Sequence, residues 1–323
     1  MASTNALNII SVPADTGSII RGKHLAPEAF LAAGLATQLQ AAGYAVSELE
    51  ARPDGPRIWG SSSTEPNGAR NETVNLEVYR AVKETVSASL SDRGDDNMMS
   101  FQLVRGGGCD IAPAVMSSYW HHIPPPARVG LIYIDADTDL VKPGQPGAVG
   151  TLASMTMTHL LMNDGALESM KAFTRRGGEG VVDSGNVVLF GLNTGAPGNT
   201  KDQLGYLLDE DFKGFTSAAV AKEPVARAKQ ALEWLEERVD YVVVHLDVDA
   251  IDGSVFPLAN VPNFTGAGFA AVMAALEVFI QSEKAAGLVV AEVNPDHDPG
   301  AEMTGRLVGE VVRFLAARRK SSR

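Results

Sequence analysis

Five aspartates fall in two short clusters. The run DADTD supplies Asp135, Asp137 and Asp139, and DVDAID (Asp247–Asp252) supplies Asp247 and Asp249. An extended backbone puts alternate side chains on one side, so each cluster presents a row of carboxylates. Carboxylates that converge repel one another and stay ionised only beside cations. Binding of a divalent metal is the economical chemistry for such a set. The sole cysteine, Cys109 in RGGGCD (Arg105–Asp110), adds a softer donor, and AEVNPDHD (Ala291–Asp298) adds Glu292 and His297. Carboxylate oxygens suit Mg, Mn or Ca, whereas a thiolate favours Zn, so spacing alone leaves the ion open. A single D-x-D pair is also what a helix cap or an Asx-turn looks like. Recurrence at several strand ends is what points to a site.

The elements that must position these residues are short apolar, β-branched runs alternating with longer helical patterns. Strands are expected at Leu7–Val12, Met99–Val104, Val129–Ile134, Val187–Leu189, Tyr241–Leu246 and Leu288–Val293. Helices are expected at Pro27–Ala42, Thr73–Ser91, Ile111–Trp120, Leu152–Met162, Val220–Val239, Gly268–Ser282 and Glu302–Ala317. Near-continuous hydrophobicity fits strands buried on both faces, and the alternation fits a parallel sheet covered by helices. Ligands bind beyond the carboxyl ends of the strands in such sheets, which is where Cys109, both aspartate clusters and Glu292 fall. No composition break or fixed-period repeat divides the chain, so residues 1–323 are expected to form a single α/β domain. The Gly/Pro/Ser-rich stretches Arg52–Asn71, Pro143–Gly150, Arg175–Asn186 and Gly253–Gly268 read as long loops, the first and last of which would shape the pocket.

With 323 residues, 45% hydrophobic and 20% charged, the composition excludes a disordered chain, a collagen and a disulfide-stapled mini-protein. No apolar run approaches the roughly 20 residues of a membrane span, and the amino terminus lacks the positive region of a secretory signal. A net charge of -12 argues against nucleic-acid binding. Arg318, Arg319, Lys320 and Arg323 read as a helix end and solvated tail. A cytoplasmic protein without nucleic-acid or membrane partners is expected. The Tyr119–His122 run and Met155, Met157 and Met162 read as packing rather than as a site, and GGGC lacks the spacing of a dinucleotide-binding turn.

In this order, GGGCD, DADTD, HLDVDAID and EVNP resemble the GGDHS, DAHxD, SxDxDxxDP and EVNP motifs of the ureohydrolases, which include arginases, agmatinases and formiminoglutamases. The segment GKHLAPEAFLAAGL (Gly22–Leu35) is similar to the family's early loop and first helix. The resemblance spans nearly the whole chain. It implies a three-layer α/β/α fold with a mostly parallel sheet of about eight strands and a trimeric or hexameric assembly. It also implies a pair of Mn2+ ions. Cys109, Asp135, Asp139 and Asp247 would hold one, and Asp135, Asp137, Asp247 and Asp249 the other. The family uses that pair to activate water for attack on a guanidinium or related C–N carbon. Glu292 matches the carboxylate that holds the guanidinium.

Departures from the pattern bear on chemistry. Cys109 and Asp137 replace both metal-binding histidines, so the set carries six negative charges if all ionise, against four positive for two divalent ions. Protonation of Cys109 or Asp137, a cationic substrate or a further cation would offset the excess; one metal, Zn2+ or no metal are the alternatives. Gly150 stands where the family has its proton-shuttling histidine, with His297 the substitute candidate. The substrate-gripping segment reads GLNTGAPGNT (Gly191–Thr200), with Asn193 as the substrate-binding candidate and no acidic residue for an α-amino group. The expected function is therefore metal-dependent hydrolysis of a C–N bond in a guanidino or amide-like small molecule. A non-hydrolytic isomerase, lyase or cyclase and an inactive scaffold are the competing expectations.

Overall fold

The structure, a computed structural model, describes residues 2–52, 55, 57, 64–92 and 98–321. Part of the Arg52–Asn71 loop and the terminal Arg323 lie outside the described residues. Eight strands form one sheet: β1 (Ala2–Ser11), β2 (Ala45–Glu50), β3 (Met99–Arg105), β4 (Val129–Ile134), β5 (Val187–Leu192), β6 (Lys213–Thr216), β7 (Tyr241–Asp247) and β8 (Ala285–Ala291). Their order is β2-β1-β3-β8-β7-β4-β5-β6, and every pairing is parallel.

Ten α-helices accompany them among the described residues: α1 (Ala26–Ala32), α2 (Leu35–Ala41), α3 (Glu72–Leu90), α4 (Ala112–His122), α5 (Thr156–Leu161), α6 (Lys201–Asp209), α7 (Ser217–Lys222), α8 (Pro224–Glu236), α9 (Phe269–Gln281) and α10 (Glu302–Ser321). The two sheet faces carry separate cores, as strand alternation requires. Leu7, Ile132, Val244 and Leu288 pack with Phe30, Leu235, Phe279 and Phe314 on one face. Ile10, Leu131, Tyr133 and Val289 pack with Val82, Val115, Met116 and Phe173 on the other. Burial on both faces explains why β4, β5 and β8 are apolar throughout.

The structure departs from the sequence-based elements in identifiable ways. The single helix expected over Pro27–Ala42 is two, because Gly34 takes a left-handed backbone (φ 77°) between α1 and α2. The helix expected over Val220–Val239 breaks at Glu223, ahead of Pro224, whose ring excludes the helical conformation for the preceding residue. Two edge strands, β2 and β6, and helix α6 were not anticipated. Arg318 is a correction: it is buried, and its guanidinium donates to the Ile280 and Ala285 carbonyls (2.8 and 2.9 Å), tying α10 to α9 and β8.

Candidate metal centre

Four neighbouring strands at the centre of the sheet, β3, β8, β7 and β4, send their carboxyl ends to one cavity of about 180 Å3. Cys109, Asp135, Asp137, Asp139, Asp247, Asp249 and Glu292 all line it, so every expected metal residue reaches one place. Donor atoms of Cys109, Asp135 and Asp139 lie within 4.8 Å of one another, as do those of Cys109, Asp247 and Glu292.

Local backbone geometry aims these groups. Asp135 Oδ1 accepts the Asp137 amide (2.7 Å) and Asp247 Oδ1 accepts the Asp249 amide (2.9 Å), so each aspartate pair is held by its own turn. Asp249 Oδ1 accepts the Ala136 amide (3.3 Å), linking the two clusters. The Tyr133 hydroxyl donates to Asp139 Oδ2 (2.6 Å) from one strand turn below. The Cys109 thiol sits 3.6 Å from Asp139 Oδ2 and receives the Thr156 hydroxyl at 3.4 Å. Asp139 and Glu292 have left-handed backbones (φ 51° and 63°), a conformation costing non-glycine residues about 1–2 kcal/mol. The second is fixed where Glu292 N donates to Gly107 O (3.1 Å).

Without a cation this cluster is electrostatically starved. Burial, followed by mutual repulsion, pushes Asp135 and Asp247 well above the usual carboxylate range. Burial does the same to Asp139, against the opposing Tyr133 hydrogen bond. Asp249 is pushed up to about 8, by burial first and the Asp137 charge next. The Cys109 thiol is raised by burial and then by Asp139. Asp135 Oδ2 is buried with no hydrogen-bond partner among the described residues.

Two residues that sequence reasoning passed over stand behind the wall. Lys23, with no exposed surface, lies 2.6 Å from Glu292 Oε1 and 2.7 Å from Oε2. Burial alone would lower its pKa, but its acidic surroundings, the Glu292 charge beside it first, raise it by more, so the ammonium stays charged. His245, also fully buried, stacks on Tyr133 at 4.9 Å between ring centroids, and neither ring nitrogen has a hydrogen-bond partner among the described residues. Burial lowers its pKa to about 3, so the ring is neutral. A ring nitrogen lies within 4.8 Å of donor atoms of both Asp135 and Asp247. The signal for His245 was in the sequence, since it shares the period of two with Asp247.

The other expected residues are elsewhere. His297 is exposed at the end of a short 3-10 turn, 3.5 Å from the Asn294 amide, and does not line the cavity. Asn193 borders an adjoining cleft of about 410 Å3 with Asp137, and its amide is engaged by the Asn263 side chain and the Phe264 carbonyl (3.1 Å). Gly150 has φ 83°, and a Cβ there would lie 2.3 Å from Gly68 O, so no side chain fits at that position.

The donors fit a divalent cation. Four buried aspartates beside the half-buried Asp137, and a carboxylate oxygen and a neutral imidazole within ligand reach that have no partner among the described residues, are what a bound ion would satisfy.

Comparison with known proteins agrees with this architecture. An arginase from Staphylococcus aureus (strain MRSA252) is 28% identical over 314 residues, covering 96% of this chain and 97% of its own. The crystal structure of arginase from Bacillus cereus superposes with a TM-score of 0.80 at 21% identity, over 96% of this chain and 98% of that one. Formiminoglutamase from Trypanosoma cruzi, solved with Mn2+, gives a TM-score of 0.67 at 17% identity, over 99% and 94% of the two chains. The family model for the arginase family matches residues 5–317, and the chain belongs to that family.

Proposed function

We propose that the protein is a metal-dependent hydrolase cleaving a C–N bond in a guanidino or amide-like small molecule. The carrying observation is the convergence of Cys109 and five aspartates on one cavity, with cation-seeking groups left unpaired behind it. Cys109, Asp135, Asp137, Asp139, Asp247 and Asp249 would hold Mn2+ ions, with His245 as an added neutral donor. When bound, the metal lowers the pKa of water and polarises the carbon under attack. The chain's own part is to hold the donors rigidly. The Asp135–Asp137 and Asp247–Asp249 turns fix the carboxylates, and Tyr133 orients Asp139. A trimer or hexamer is the assembly that fits the family.

A metal-free reaction with Cys109 as nucleophile is less favoured. Burial and surrounding carboxylates hold the thiol in its unreactive protonated form when no cation is present.

The test is metal content by elemental analysis after incubation with Mn2+ and with Zn2+, followed by turnover on guanidino and amide compounds. Asp135→Ala is expected to lose both metal and turnover. Full activity in that variant would overturn the reading.

A further inference from the structure

We propose that the cavity selects an uncharged amide or ureido group and turns away a guanidinium, because Lys23 already occupies the carboxylate that would bind one. This rests on the hydrolase reading above and narrows its substrate class. Among the described residues, Glu292 is the cavity's only carboxylate outside the two aspartate clusters, which that reading commits to metal. Both its oxygens accept the Lys23 ammonium, and Oε1 also accepts the Cys109 amide at 3.1 Å. A guanidinium binds a carboxylate through two parallel N–H···O bonds driven by an unmatched negative charge. Here the charge is matched from within the chain. Displacing Lys23 would strand its ammonium where no solvent reaches it, a heavy penalty for a buried ion.

Lys23 is built in rather than mobile. The Gly22 amide donates to Asp15 Oδ2 (3.0 Å), and the Asn294 amide donates to Arg21 O (3.0 Å), clamping the loop to the end of β8. Gly108 makes the room: a Cβ there would lie 2.9 Å from Glu292 Oε1 and 3.1 Å from Lys23 Nζ. The rest of the wall offers hydroxyls and apolar surface, with Ser18, Thr151 and Ser154 beside Ile19, Val149 and Val261. No lysine or arginine is among the described residues lining the cavity, so these side chains offer an anionic group no ion pair. Hydroxyl hydrogen bonds and apolar contact suit an uncharged group on an apolar stem.

The test is calorimetric titration of the metal-loaded protein with methylguanidinium and with methylurea, which share a shape and differ in charge. The expected result is methylguanidinium binding that is absent or at least roughly tenfold weaker than methylurea binding. Lys23→Met, which removes the ammonium and keeps the stem, is expected to gain methylguanidinium affinity by at least roughly tenfold. Lys23→Arg is expected to keep the wild-type preference. Wild-type binding of methylguanidinium as tight as that of methylurea would overturn the proposal, as would a folded Lys23→Met variant with no gain. If Lys23→Met does not fold, the wild-type comparison decides. Loss of the hydrolase reading has a separate signature: the binding preference stays intact while no C–N substrate turns over.

Discussion

Lys23 and Glu292 are 269 residues apart in sequence and share one ion pair with almost no solvent. Removing one partner of a buried pair leaves the other charge uncompensated, so Lys23→Ala is expected to lose about 3–5 kcal/mol of stability, read by chemical denaturation. A loss under about 1 kcal/mol would mean that water reaches Glu292. His245→Phe keeps the stack on Tyr133 and removes both ring nitrogens. It is expected to weaken Mn2+ binding by about 10–100-fold, as loss of a supporting donor does; unchanged affinity in a metal titration would remove His245 from the centre. Gly150→His is expected not to restore a shuttle. The new side chain meets the Gly68 carbonyl, and the strain should cost about 2–3 kcal/mol in thermal denaturation. The aspartates were legible because they repeat at a period of two just after apolar runs. Lys23 was not, since nothing local in GKHLAP marks a partner so distant in the chain.

At the scale of elements, legibility followed burial. β4 spans Val129–Ile134 as expected, because a strand covered on both faces is an uninterrupted apolar run, whereas β3 and β7 run one residue past their expected ends into the polar Arg105 and Asp247. The two missed strands are edges. β2 reads AVSELE and is mostly exposed, and β6 has only four residues, so neither carries the pattern. Helix α6 was missed although its start is signposted by Thr200 and Gln203, which form a reciprocal capping box. Thr200→Ala is expected to cost about 1 kcal/mol without changing metal content. The neighbouring Asn199 holds the Thr138 amide (2.7 Å) independently of the cap. Metal loss in that variant, measured at a temperature where it stays folded, would show that α6 does more than brace the aspartate loop.

For the molecule as a whole, the cluster ties stability to pH and metal with a definite sign. Unfolded aspartates titrate near pH 4; in the metal-free fold Asp249 holds its proton up to about pH 8, and Asp135, Asp139 and Asp247 are raised as well. Their contribution is therefore fully present below the unfolded value and is lost as pH rises through the folded values. The chelated protein is expected to lose melting temperature between about pH 5 and pH 9, and Mn2+ to restore it most at the alkaline end, where the ligands need not release protons. A chelated profile that stays flat over that range would mean the carboxylates are not coupled as the geometry implies.

The strand order also dictates when this centre can exist. β8, the last strand in the chain, lies between β3 and β7, so before it is synthesised the sheet is two separate pieces, β2-β1-β3 and β7-β4-β5-β6. All five aspartates belong to the second piece, whereas Cys109 and Lys23 belong with the first. On a ribosome, the acidic half of the centre is thus complete while its thiol and its ammonium are still attached to a different half-sheet. Insertion of β8 joins the halves and delivers Glu292 to Lys23 in the same event. Folding, closure of the ion pair and maturation of the metal centre are then a single late step in the life of the chain.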